Sequence, residues 1–291
     1  MQYVKPQTAQ EASRLLAGNA GKARVLAGGT DLLVQMKSGL VTPEIVVDIK
    51  HMAEVNEIAA EDGGFRVGAA VPGQILGAHE GVRALWPGVV EALELIGSTQ
   101  VQGRATMAGN LCNGSPAADS VPAMVAAGAV ARISGPDGTR DCPVEDIPVS
   151  PGKTSLEPGE FILSILLPKR PARASDAYLR FIPRTEMDIA VASAGVSLEL
   201  DEGGTIRAAR VALGAVGPKV ALVPEAAEAI VGTRLEDAAI EALASAARAA
   251  CNPIDDKRGT VAFRTQVAGV LAGRAARIAL DRARSGAGGK S

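Results

Sequence analysis

Between residues 24 and 37 the chain passes from a β-like run, Arg24 to Ala27, through Gly28, Gly29, Thr30 and Asp31 into a helical run that starts at Leu32. This order of strand, glycine loop and helix, followed by a second apolar β-like run at 44–49, predicts a small βαβ-like unit over about residues 1–57. Upstream, Thr8 with Glu11 three residues later makes a capping box. Ala9, Ala12, Leu15 and Leu16 follow at helical spacing, and Gly18 ends that helix.

From residue 58 the pattern changes to short strands and turns. Glu61 to Gly64 signals a hairpin with 65–69 as its return strand. A helix is predicted over 87–96, then a loop-rich passage over 97–122, strands around the turn at 135–138, and a last strand over 161–167. The segment PKRPAR at 168–173 breaks every periodicity and is the expected domain boundary. Residues 1–172 are thus expected as one domain with subdomains 1–57 and 58–172. Beyond it, 190–200 and 205–215 flank Asp201 to Gly204 as a hairpin, and helices follow near 224–231, 235–250 and 258–284. The last helix is expected to lay Phe263, Val267, Val270 and Leu271 on its own sheet, with Arg264, Arg274 and Arg277 interspersed. The second domain is read as 173–284 and the tail 285–291 as disordered by composition. The fold class is α+β.

With 291 residues, 47% of them hydrophobic, the chain can bury a large core without disulfides. A net charge of −2 without a basic run argues against nucleic acid, and one Trp, two Tyr and four Phe provide little for base stacking. Cys112, Cys142 and Cys251 stand far apart, which fits a reducing compartment and no metal framework. No secretory core opens the chain and no apolar run reaches the roughly 18 residues a span needs, so a cytoplasmic protein with no membrane insertion is expected.

Two segments are candidates for chemistry. Glycines between a strand and a helix allow backbone N–H groups to converge on an oxyanion, although Ala27 to Asp31 alone also fits a plain tight turn. Residues 98–119 are polar between apolar flanks, either a solvated loop or the lining of a pocket for a polar ligand. Two such loops some eighty residues apart suit a long dinucleotide, with Asp119 accepting a hydrogen bond from it. Gly152, Lys153 and Thr154 mimic the end of a P-loop, but Ile147 stands where that motif needs glycine, so they are read as an ordinary turn. His51 and His79 lack partners in sequence and are assigned to core or surface, and Trp86 to packing.

VLAGGTDLLVQMK at 25–37, together with RATMAGNLCNGSPAAD at 104–119, resembles the FAD-binding medium subunit of molybdenum hydroxylases, the family of xanthine dehydrogenase and aerobic carbon monoxide dehydrogenase. DDKRGTVAFR at 255–264 is similar to the C-terminal signature of that family, so the resemblance covers nearly the whole chain. It implies a two-subdomain FAD-binding domain of the vanillyl-alcohol-oxidase (PCMH) type, then an α+β C-terminal domain like that of CO dehydrogenase flavoproteins. It further implies that Leu26, Ala27, Gly28, Gly29, Thr30, Asp31, Leu32 and Leu33 wrap the FAD pyrophosphate through their amides. Thr106, Ala108, Gly109, Asn110, Asn113 and Asp119 would hold the remainder, with Ile162 beside the flavin and Arg180 as a basic contact. The family commonly has Gly-Gly-Asn where this chain has Ala108-Gly109-Asn110, and the extra methyl crowds a ligand that approaches the backbone.

The function implied is electron transfer. A large partner subunit with a molybdenum cofactor oxidises the substrate, a small one relays electrons through two [2Fe-2S] clusters, and the FAD of this chain passes them to an external acceptor. A dimer of heterotrimers is the implied assembly. No catalytic acid or base and no metal ligand is assigned to this chain. The residues alone also leave open a self-sufficient FAD-dependent oxidase or reductase, or a non-catalytic assembly module.

Overall fold

The structure, a computed structural model, describes residues 1–286. It begins with β1 (Gln2–Val4), α1 (Ala9–Gly18), β2 (Ala23–Leu26), α2 (Leu32–Lys37) and β3 (Ile45–Asp48). The strands form a parallel sheet in the order β1-β3-β2, which is the expected βαβ-like unit with one strand added. Thr8 caps α1 by accepting the Glu11 N–H at 3.2 Å, and the Glu11 carboxylate accepts the Gln7 N–H at 2.8 Å. The added strand β1 is tied in by the Tyr3 hydroxyl, which donates to buried Asp48.

Next come β4 (Ile58–Glu61), β5 (Gly64–Gly68), α3 (Gly73–Ala78), α4 (Glu80–Leu85), α5 (Pro87–Glu94), α6 (Thr99–Gln102), α7 (Met107–Cys112) and α8 (Ser120–Ala127). After them run β6 (Val130–Gly135), β7 (Gly138–Pro143), β8 (Pro148–Ser150), β9 (Lys153–Thr154) and β10 (Phe161–Leu167). Five of these strands make an antiparallel sheet in the order β4-β5-β10-β6-β7, and β8 and β9 make a separate hairpin. The passage 97–122, expected as loop, instead carries α6, α7 and the start of α8. The first two are too short for an apolar period to show. Every residue of α8 is buried, as a helix apolar on all sides requires, and it packs against the sheet that follows it in the chain.

That sheet is formed by β11 (Ala174–Phe181), β12 (Ala192–Leu200), β13 (Ile206–Gly214) and β14 (Ala221–Leu222), antiparallel in that order. The helices α9 (Pro224–Glu228), α10 (Asp237–Ala249) and α11 (Val261–Ser285) complete the chain. The stripe of α11 that packs on β11 and β12 is built from Ala268, Leu271, Ala272, Ala275, Ala276, Ala279, Leu280 and Ala283. This corrects the expected face: Phe263 and Val270 are 42% and 39% exposed, and Arg264 is buried. Small alanines let the helix approach the sheet closely, so they, rather than the largest apolar side chains, set its rotation. Arg264 enters the interior because its guanidinium donates to the Val191 carbonyl at 2.8 Å and to Asp256 at 2.6 Å.

Ser285, expected in the tail, is the last residue of α11, and Gly286 at φ 63 closes the helix. The rest of that expectation, residues 287–291, lies outside the described residues. Trp86 is a packing anchor, with its indole N–H bonded to the Pro168 carbonyl at 2.8 Å. Among the described residues no helix is long and apolar enough to cross a membrane, and no cluster of metal-ligating side chains occurs.

Candidate functional site

A cleft of about 690 Å³ lies between the parallel sheet and the five-stranded sheet. Twelve of the residues singled out from the sequence line it: Ala27, Gly28, Gly29, Thr30, Asp31 and Leu32 from the first loop, Thr106, Ala108, Gly109, Asn110 and Asn113 from the second, and Ile162 from β10. Leu26, Leu33, Asp119 and Arg180 do not line it.

Two glycines shape the first loop for different reasons. A Cβ on Gly28 would stand 2.0 Å from the Arg104 carbonyl oxygen, so only glycine allows the two loops to meet. Gly29 has φ +78, which favours glycine, and the side chains of Leu26 and Leu33 pack against it. The carbonyls of Gly29 and Asp31 start α2 by accepting the N–H groups of Leu33 at 3.0 Å and Gln35 at 2.9 Å. Among the described residues, the N–H groups of Gly28, Gly29, Thr30 and Asp31 have no protein acceptor. They form a row of four donors at a cleft wall, an arrangement that suits a diphosphate. From outside the cleft, Lys50 steadies the loop, with its ammonium 2.9 Å from the Ala27 carbonyl and 2.6 Å from Asp48. Burial pushes the Asp48 carboxyl up, but hydrogen bonds from Lys50 and Tyr3 outweigh it and hold the group below its usual range.

The second loop is organised around α7. The Thr106 hydroxyl accepts the Gly109 N–H at 2.9 Å and so caps the helix. Ala108 lies within α7, where helical backbone suits alanine, and its place in the cleft lining adds one methyl to the wall. Asn110 accepts from the Ser120 N–H at 3.2 Å and hydroxyl at 2.7 Å. The Asn113 side-chain oxygen Oδ1 accepts from the Gln35 side-chain Nε2 at 3.0 Å, which clasps α7 to α2.

Two ionisable groups of the cleft lining, Asp31 and Cys112, are shifted by burial alone. Burial raises the Asp31 carboxyl above its ordinary range. Cys112 has surface open to the cleft, yet the crowded walls withhold water from a thiolate and push its thiol up to about 12. It is therefore a neutral lining group.

Asp119 and Arg180 pair with each other behind the second loop. Asp119 accepts from the Arg180 guanidinium at 2.6 Å and from the Tyr178 hydroxyl at 2.8 Å. Burial lifts the Asp119 carboxyl to about 6, against the pull of Arg180 and Tyr178. Arg180 Nε is buried and has no hydrogen-bond partner among the described residues.

Several cleft residues went unrecognised in the sequence. Gln35 carried no signal beyond its place one turn into α2, and Ile96 and Ala69 read as ordinary apolar positions. Gly152 and Thr154 do form a turn, as expected, but that turn lines the cleft. His79 is used as the cap of α4, accepting the Val82 N–H at 3.2 Å, and His51 lies 3.9 Å from Asp48.

A cleft walled by two sheets, with a row of unpaired amides at a helix start, defines a dinucleotide-binding α+β protein, and FAD fits these donors. Residues 1–170 match the family described as the FAD binding domain in molybdopterin dehydrogenase, and residues 177–279 match the CO dehydrogenase flavoprotein C-terminal domain. The chain belongs to this family of FAD-binding medium subunits of molybdenum hydroxylases.

Among its relatives, the carbon monoxide dehydrogenase medium chain of Afipia carboxidovorans is 32% identical over 97% of this chain and 98% of its own. The putative xanthine dehydrogenase FAD-binding subunit of Escherichia coli is 33% identical over 74% of each. A solved CO dehydrogenase from Oligotropha carboxidovorans has a chain that superimposes with a TM-score of 0.93 at 32% identity, covering 97% of this chain and 98% of that one. For quinoline 2-oxidoreductase from Pseudomonas putida the TM-score is 0.89 at 27% identity, with the same coverage.

Proposed function

We propose that this chain is the FAD-binding electron-transfer subunit of a multi-subunit molybdenum hydroxylase, an oxidoreductase. A large partner subunit carries the molybdenum cofactor and a small one carries two [2Fe-2S] clusters, as part of a dimer of heterotrimers in the cytoplasm. FAD held at the Gly28–Asp31 loop would supply the redox chemistry that links those clusters to an external acceptor. Residues 1–172 form the cofactor-binding part in this reading, and residues 173–284 brace it.

The observation that carries the reading is the row of unpaired N–H groups from Gly28 to Asp31 at the wall of the cleft. These amides hold the diphosphate, and the helix dipole of α2 adds to their pull. Lys50 and the Gln35–Asn113 clasp keep the loop and both helices in place before the ligand arrives, so little ordering is lost on binding. Thr106 acts through its cap on α7, and Ala108, Gly109, Asn110 and Ile162 supply the wall. Asp119 and Arg180, a paired unit outside the cleft lining, act on the site through the second loop, whose last residue is Asp119. A self-sufficient oxidase would need an acid or base poised at the ring, whereas His79 caps a helix and Tyr178 is bonded to Asp119.

The test is purification of the chain alone and with its partner subunits. A yellow preparation with a flavin spectrum and about one FAD per chain, co-purifying with metal-containing subunits, is expected. A folded chain that is colourless and stays so with added FAD overturns the reading.

A further inference from the structure

We propose that the Gln35–Asn113 hydrogen bond is a latch between the two walls of the cleft and sets the rate at which the cofactor is exchanged, with Gln35 as a positioning residue that acts through Asn113. The inference rests on the FAD reading above and concerns how the cofactor enters and leaves.

Among the described residues, three side-chain hydrogen bonds join residues 1–57 to residues 58–172. Two stand together where α1 meets β6 and the turn after it. There Gln10 Nε2 donates to the Pro136 carbonyl at 3.1 Å, and the buried hydroxyls of Ser13 and Ser134 are 3.1 Å apart. Ala12 and Ser13 are fully buried on that side, and the linker between the two parts is held as firmly, the Val55 carbonyl accepting the Ala70 N–H at 2.8 Å. The third bond is the clasp from Gln35 of α2 to Asn113 at the end of α7, and both of its residues line the cleft.

The α2 side is built differently from the α1 side. No residue of α2 is buried, and the glycine loop ahead of it meets Arg104 and Ala105 by packing, with no hydrogen bond between them. Parting the walls at α2 therefore uncovers little apolar surface and costs chiefly the clasp, whereas parting them at α1 uncovers core. One neutral hydrogen bond of this kind is worth about a factor of five in an equilibrium. Because the clasp joins protein to protein, its loss favours the open form of the empty and the loaded chain alike. Association and dissociation then quicken together and affinity is kept, as for a gate. Loss of a direct ligand contact quickens dissociation alone.

The experiment uses the full chain and follows FAD binding and release by stopped-flow flavin fluorescence. Gln35→Met, which keeps the reach of the side chain but cannot donate, should raise both rate constants about fivefold and hold the dissociation constant within about twofold. Ser13→Ala removes a hydrogen bond between the same two parts on the α1 side and should leave both rate constants within about twofold of the parent chain. Unchanged rates in Gln35→Met, a rise in dissociation alone, or an equal rise of both rates in Ser13→Ala overturns the latch, while FAD binding by the parent chain leaves the functional reading standing. A parent chain that binds no FAD overturns both.

Discussion

At the scale of single residues, Gly28 is where sequence and site meet most directly. The sequence suggests glycine there so that amides approach a phosphate, and the structure adds a harder constraint, the Arg104 carbonyl 2.0 Å from any Cβ. Gly28→Val must push the first loop away from the second. The expected result is a loss of more than tenfold in bound flavin and a destabilisation of about 1–3 kcal/mol, the usual cost of overpacking. Flavin absorbance per chain and a urea titration measure the two effects, and undiminished flavin content would refute the assignment of this loop. Ala108 shows the opposite case. Its departure from glycine is absorbed because the position is helical, so Ala108→Gly should leave the loop geometry intact and lower stability by about 1 kcal/mol through helix propensity.

At the scale of elements, β3 ends on Asp48, whose carboxylate gathers Tyr3 from β1 and Lys50, and through Lys50 the Ala27 carbonyl of the glycine loop. Lys50→Met removes the cation and leaves the buried carboxylate with one fewer donor, at a cost of about 1–3 kcal/mol. Because the Ala27 carbonyl is released as well, FAD affinity should fall several-fold, and equal affinity in the variant would show that the loop holds its shape unaided. Legibility in the sequence follows the same local logic. The helix α1, the glycine loop with α2, and the hairpins β4-β5 and β12-β13 carry their own caps and turn residues and are readable without tertiary information. Strand β11 is not, since its first five residues are buried between α11 and the helices α5 and α8 and show no alternation. Nor are α6 and α7, which are shorter than the window in which a helical period emerges. The cleft was readable where glycines mark it and unreadable at Thr154, which reaches it only through a hairpin some forty residues past Asn113.

At the scale of the molecule, the part before residue 173 and the part after it are joined by buried charge. Arg170 donates to Asp176 at 3.0 Å and to the Ala84 carbonyl at 3.2 Å, and its guanidinium lies 5.3 Å from the Trp86 ring centre. Glu91 on α5 accepts the Tyr178 N–H at 3.3 Å and pairs with Arg282 of α11, which also donates to the Asp176 carbonyl at 2.9 Å. Burial raises the Asp176 carboxyl to about 6 despite Arg170, just as it raises Asp119 to about 6 despite Arg180. An acid whose folded pKa lies above its unfolded value binds more protons when folded. Its contribution is therefore fully present below the unfolded value near 3.8 and is lost as pH rises through about 6. Each group should remove on the order of 3 kcal/mol between pH 4 and pH 7. Asp48, Glu61, Asp141, Glu160, Asp188 and Asp256 are all held below their usual range, and their contributions are lost as pH falls through their folded values. Opposed slopes place the stability maximum on the acid side of neutral. The variants Asp119→Asn and Asp176→Asn cannot ionise, so each should flatten the decline between pH 4.5 and pH 7.5 (about the range spanned by both ionisations) even if it lowers stability throughout by leaving an arginine short of a counter-charge. Urea midpoints across that range measure the slopes, and a decline as steep in both variants as in the parent chain would mean that the junction carboxylates are already ionised well below pH 6.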